Sequence, residues 1–228
     1  MKNPVVRAIF LFLLVLVFGV LIFGGYMIKK NKPPIPEVSQ SQSGEIIFTK
    51  KDIMDGQNYY YSRGGQHIGS IWGHGSYLAP DWSADYLHRL GLFLAARHLG
   101  LSAQQAKNFT QKDYEAIDPI TKGTLNAKIQ QEIRTNRFDP NSKMLALTDF
   151  QSEAFRYLTE YYTELFKNGN EGMGLQAGIV RSEHEGKIIT SFFAWLAWAA
   201  GTIRPGTEAT YTSNWPYDPM VGNTPLSG

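Results

Sequence analysis

The chain has 228 residues, 43% of them hydrophobic and 18% charged, enough for one sizeable core or two small ones. The first 32 positions hold five of the 22 basic residues and none of the 20 acidic ones, so the remainder is acidic by three charges (17 against 20) and offers no clustered basic face for nucleic acid. The absence of cysteine excludes disulfides, thiolate-held zinc, iron-sulfur clusters, a thiol nucleophile and covalently attached haem of the c type.

From Ala8 to Ile28 there are 21 consecutive uncharged residues rich in Leu, Val, Phe and Ile, which as a helix span about 30 Å of hydrocarbon. The run is longer than a signal-peptide core and ends at Lys29, Lys30 and Lys32, so it reads as an uncleaved membrane anchor in contact with lipid over residues 8–28. Lys2 and Arg7 nearly balance those lysines, and charge does not orient the helix. Residues 33–44, with Pro33, Pro34, Pro36 and alternating Ser and Gln, read as a semi-extended tether.

The body is expected to be mainly helical. Ile46–Phe48 and Met144–Leu147 are the two segments with strand character. In Pro80–Leu99, Trp82, Tyr86, Leu90, Phe93 and Leu94 recur at helical spacing, with Asp81 or Ser83 as a cap and Gly100 as a stop. Ser102 with Gln105 and Thr110 with Asp113 resemble capping boxes of two short helices. Leu125, Ile129 and Ile133 mark another helix. Thr148 with Gln151 opens a longer one with an apolar stripe of Phe150, Ala154, Tyr157, Leu158, Tyr161 and Leu165, broken at Asn168-Gly169. Ile188–Ile203 carries no charge over 16 residues and is short for a membrane span, so a buried core helix is favoured. Residues 204–228, with Pro205, Pro216, Pro219 and Pro225, lack helical periodicity and are expected to be extended, leading toward a module beyond a truncated end.

Chemistry concentrates between Gly64 and Trp82, where five glycines, two histidines and a Pro-Asp step imply a specific backbone path entering a helix. His67, His74 and His88, with Asp81 and Asp85 nearby, are candidate imidazole ligands for a metal or haem. Their spacing fits no compact ligand motif, and hydrogen bonding to loop backbone is the simpler reading. Gly73-x-Gly75 lacks the third glycine of a dinucleotide loop. Ser70 or Ser76 with a histidine and Asp81 has no strand-elbow-helix context for a hydrolase triad. His184 between Glu183 and Glu185 reads as a solvated turn. The tyrosines 59–61 and 161–162 read as packing with wet hydroxyls.

The run Gly69-Ser-Ile-Trp-Gly-His-Gly-Ser-Tyr-Leu-Ala-Pro-Asp-Trp-Ser-Ala-Asp-Tyr-Leu-His-Arg89 resembles the most characteristic stretch of the extracytoplasmic N-terminal region of quinol-dependent nitric oxide reductases of the large single-chain type. Arg134-Thr-Asn-Arg137, Phe192-Phe-Ala-Trp-Leu-Ala-Trp198, Arg204-Pro-Gly206, Thr210 to Pro216 and Pro219 to Asn223 are similar to later landmarks in the same order.

That resemblance implies an anchor (1–32), a linker (33–44), a cytochrome c-like helical domain with short β elements outside the cytoplasm (45–203), and a segment (204–228) leading to a multi-helix catalytic module. In the family that module reduces two nitric oxide molecules to nitrous oxide and water with quinol electrons. It holds haem b and non-haem iron on its own histidines and glutamates. Related two-subunit enzymes carry haem on Cys-x-x-Cys-His ahead of a similar Gly-rich segment. Here the region around Gly65–Gly69 has no cysteine, which implies the haem-free version with no catalytic residue and no cofactor in this chain. Gly73, His74, Gly75, Tyr77, Pro80, Asp81 and Trp82 are then expected at the heart of the domain. Trp195, Trp198, Asn214, Trp215 and Pro216 are expected to lead it onto the catalytic module. The competing reading is a free-standing anchored protein that binds haem or a metal through His67, His74 or His88 and passes electrons.

Overall fold

The computed structural model describes residues 3–73, 76 and 79–225. It divides into two units, Met1–Pro34 and Ile35–Gly228.

The first unit is helix α1 (Pro4–Asn31). Asn3 caps it by accepting from the Val5 N–H at 3.0 Å, Pro4 occupies the first turn, where its missing N–H is no loss, and Lys29 and Lys30 lie at the negative end of the helix dipole. None of its residues is buried. It is the one helix among the described residues that is long and apolar enough to cross a membrane, a property shared by anchors and signal sequences.

The second unit is mainly helical around a small sheet. Strands β1 (Val38–Gln40), β2 (Ile46–Thr49), β3 (Phe138–Asp139) and β4 (Met144–Ala146) lie in the order β2-β1-β4-β3. Strand β1 pairs antiparallel with β2, with an irregularity at Ser39/Gln40, and parallel with β4, and β3 pairs antiparallel with β4. This corrects the expected tether: residues 38–40 form an inner strand, with Pro36 and Ser39 buried. The polar Ser-Gln alternation concealed it, because a three-residue strand paired on both edges is held by backbone bonds rather than by its own apolar side chains.

Among the described residues seven helices follow: α2 (Lys50–Ser62), α3 (Trp82–His98), α4 (Ala103–Ala106), α5 (Gln111–Glu115), α6 (Pro119–Arg134), α7 (Asp149–Asn168) and α8 (Glu183–Gly201). Capping boxes open α4, α5 and α7 at Ser102/Gln105, Thr110/Asp113 and Thr148/Gln151. A fourth, Thr49/Asp52, opens α2, a helix that the sequence pattern did not disclose. Along α7 the buried face is Ala154, Phe155, Leu158, Tyr162 and Phe166. Tyr157, Tyr161 and Leu165 flank it half-buried, so the stripe is turned by about one residue from the expected one. Amphipathic hydroxyls made both faces read as apolar.

Helix α8 is the central element, packed against α2, α3 and α7. Fourteen of its 19 residues are buried, which accounts for the uncharged run from Ile188 onward without a second membrane span. Its approach to α2 needs the absence of a side chain at Gly56, where a Cβ would overlap the Ile188 carbonyl and touch Phe192. By contrast, a Cβ at exposed Gly123 of α6 would meet nothing within 4 Å. Gly56→Ala should therefore destabilise the body by about 1–3 kcal/mol through overpacking, whereas Gly123→Ala should stabilise it by about 0.5–1 kcal/mol. Denaturant titration of the two variants checks the opposite signs, and equal shifts would contradict the packing described.

Candidate functional site

The glycine-rich loop is organised from the start of α3. The Asp81 carboxylate accepts five hydrogen bonds. Oδ1 takes the Ser83 and Ala84 N–H groups, both at 3.0 Å, and the Ser83 hydroxyl. Oδ2 takes the Ser70 hydroxyl at 2.9 Å and the Gly73 N–H at 2.6 Å. One oxygen thus caps the helix and the other holds the loop. Backbone bonds from Ser70 N–H to the Pro80 carbonyl (3.0 Å) and from Trp82 N–H to the Ser70 carbonyl (2.8 Å) fasten the two ends of the loop together. The Ser83 hydroxyl, engaged with Asp81, also accepts the Trp72 N–H at 2.8 Å.

Trp82 lies fully buried beneath this junction. Its indole stacks on Phe193 at 5.5 Å and meets Phe166 and Tyr162 edge-on at 4.9 and 6.0 Å. Its Nε1–H donates to the Ile68 carbonyl at 2.9 Å, and the Tyr60 hydroxyl donates to the adjacent Gly69 carbonyl at 2.7 Å. Gly69 has φ +132°, and a Cβ there would run into the Trp82 indole and the Pro80 carbonyl, so the tryptophan requires the glycine. Beside it, Tyr162 donates to Asp85 Oδ2 at 2.8 Å, and Arg89 Nε donates to the same oxygen at 2.8 Å while its guanidinium covers the Tyr161 ring at 3.9 Å. Burial pushes the Tyr162 hydroxyl well up, and the Asp85 charge adds to that. For Arg89, burial opposes the charge, but Asp85 overrides it and holds the guanidinium firmly protonated.

Residues 204–225 do not run extended. They turn repeatedly and fold back on the body, burying Met220 and Val221. Asparagine side chains replace the missing secondary structure. Asn214 Oδ1 accepts the Thr210 N–H (2.9 Å) and its Nδ2 donates to the Thr224 carbonyl (2.8 Å). Asn223 Nδ2 donates to the carbonyls of Ala200 at 3.0 Å and Pro216 at 2.7 Å, while its Oδ1 accepts the Asp218 N–H. A segment held by side-chain-to-backbone bonds of this kind leaves no apolar period to read. The Trp215–Pro216 peptide is cis, Pro216 is buried and Trp215 is 51% exposed. A Cβ at Gly73 would strike the Trp215 indole, so the glycine-rich loop and this segment lie against each other. Trp195 packs on Trp72 (5.7 Å) and Phe192 (6.2 Å), and Trp198 on Tyr211 (5.3 Å) and Phe138 (6.2 Å). The Trp72 indole donates to the Leu196 carbonyl at 3.1 Å, tying the loop to α8.

The candidate ligands are not brought together. His67 is exposed on a 3-10 turn, His88 Nδ1 bonds to Asp218 Oδ2 at 2.8 Å, and His74, like Gly75 and Tyr77, lies outside the described residues. Among the described residues no three of His, Cys, Asp and Glu converge as a metal-binding group. The Ser70 hydroxyl is engaged with Asp81. Glu185, beside exposed His184, accepts the Arg181 N–H and pairs with Arg63. Asp218 is not singled out in the sequence, Ser70 enters there only as a hydrolase nucleophile, and Trp72 and Asn223 enter only as members of longer landmark segments. Of these, only the Gly222-Asn223 step carried a turn signal.

The landmarks of the loop, α8 and the last turns thus converge on one aromatic junction. A family model for the NorB cytochrome c-like domain of nitric oxide reductase matches residues 36–217. The chain belongs to this family. A search of curated proteins finds no match. The name cytochrome c-like raises the question of haem. Thioether attachment needs cysteine thiols, and the NorB domain here has none. Where α3, α7 and α8 meet, the interior is filled by Trp82, Tyr162, Phe166 and Phe193. The residues present do not fit a c-type haem.

Two variants separate the roles at the junction. Asp81→Ala, which orphans donors on both the helix and the loop, should cost about 2–4 kcal/mol, against about 1 kcal/mol for Asp118→Ala, a plain helix cap at the start of α6. Trp82→Ala should cost about 3–5 kcal/mol. Thermal denaturation is the check, and an unchanged melting temperature for Trp82→Ala would refute its place at the core.

Proposed function

We propose that this chain is the anchored, haem-free, noncatalytic N-terminal part of a quinol-dependent nitric oxide reductase, and that it docks and supports the catalytic module from the extracytoplasmic side. The observation that carries the reading is the family match over residues 36–217 in a chain without cysteine. A domain of this family with no thiol to hold a c-type haem has lost that means of passing electrons, which leaves support and docking. Helix α1 is read as the membrane anchor.

In this reading the domain boundaries are an anchor, the body from Ile35 and a C-terminal docking segment. The reaction, two nitric oxide to nitrous oxide and water, takes place on haem b and non-haem iron in the catalytic module, fused or separate. This chain's residues fix the position of the docking surface. Trp195 and Trp198 brace it, Asn214 and Pro216 shape it, and Trp215 and Tyr217, 51% and 42% exposed, present aromatic rings at it, the residue type favoured at interface anchors.

The test is to tag the N-terminus in the source cells and purify from solubilised membranes. The tagged material should carry haem b absorption and reduce nitric oxide with quinol. Tagged protein lacking both would overturn the reading. Trp215→Ala should lower the recovered activity per tagged chain several-fold while leaving the melting temperature of the body within about 2 °C.

A further inference from the structure

We propose that the body contains a gas-sized binding cavity between α3, α8 and the sheet, which takes a small uncharged molecule of two or three heavy atoms. The cavity is about 40 Å3 and is walled by Leu87 and Leu90 of α3, Leu145 and Leu147 at β4, and Ala194 and Ala197 of α8. Roughly 10–15 Å3 admits one water, but a water needs two to four polar partners. Two of the polar side chains in the wall are already engaged. Thr202 Oγ1 already donates to the Ile133 carbonyl at 3.0 Å, and Gln151 Nε2 to the Glu132 carbonyl at 3.3 Å.

A largely apolar recess leaves its lining with few dispersion partners on one side, and a small apolar guest restores them. The alanines at 194 and 197, three apart on α8, set the size limit, because any longer side chain there occupies the space. Tyr86 adds selectivity. It is 4% exposed and lines the cavity, where its hydroxyl is the donor offered to a guest. Burial pushes that hydroxyl up, so it stays a neutral donor. A guest with a weak acceptor atom therefore gains one hydrogen bond that xenon cannot make. Nitric oxide and nitrous oxide meet this description. Naming either as the natural guest rests on the reductase reading, whereas the cavity does not.

The experiment uses crystals of the full chain pressurised with xenon and, separately, with nitrous oxide. Both gases are expected between Leu87, Leu145 and Ala197. Ala197→Leu should abolish both, and Leu147→Phe, at the half-buried rim, provides a second filling variant if the first fails to fold. Tyr86→Phe should keep xenon and lower nitrous oxide occupancy several-fold. Absence of xenon, xenon without nitrous oxide, or full occupancy in a well-folded filling variant would each overturn the proposal. The reductase reading is judged separately by haem b and turnover in the tagged membrane protein.

Discussion

The Asp81 carboxylate has donors on both sides of it, two N–H groups and a hydroxyl from the first turn of α3 on one oxygen and the Ser70 and Gly73 donors on the other. Neither the helix start nor the loop can shift without leaving polar groups unpaired, and unpaired groups out of water are costly. Trp82 follows in the chain and carries this constraint inward: its indole N–H is bonded to Ile68, and its ring is set against Phe193 of α8 and Phe166 of α7. The loop, two core helices and the C-terminal turns beside Gly73 thus take their positions from two adjacent residues.

Much of this is legible in the chain alone. Capping signals at Ser102, Thr110 and Thr148 open helices where expected, because a cap is a local arrangement between a side chain and the N–H groups two or three residues on. The uncharged run in α8 announces a buried helix for a similarly direct reason. What cannot be read are features decided by distant partners. Strand β1 exists because β2 and β4 flank it, α2 lies over α8 because Gly56 permits it, and the last turns hold because Asn214 and Asn223 find carbonyls far along the chain. At the junction, Asp81 and Trp82 can be singled out, but Ser70 and Trp72 depend on a loop closure that no local pattern encodes.

The aromatic interior has a bearing on how such a domain holds together without a covalently attached haem. Residues 35–228 form one unit, a size at which apolar burial can sustain a fold unaided. Tyr162 and Phe166 meet Trp82 edge-on, Phe193 stacks on it, and Tyr60 and Phe192 pack on Phe193 in turn. The tyrosine oxygens among them end on Gly69 and Asp85. Large rings supply the buried area, and the tyrosine hydroxyls among them reach the polar shell without leaving it unsatisfied.

The Asn223 amide, bonded to both the end of α8 and the Pro216 carbonyl, gives the last turns a mechanical character. A flexible rope absorbs a tug before passing it on; a strut does not. With Met220 and Val221 sunk into the body and Asn223 clamped to Ala200, the last turns are braced on the end of α8, the helix whose Ile188 carbonyl lies bare against Gly56 of α2.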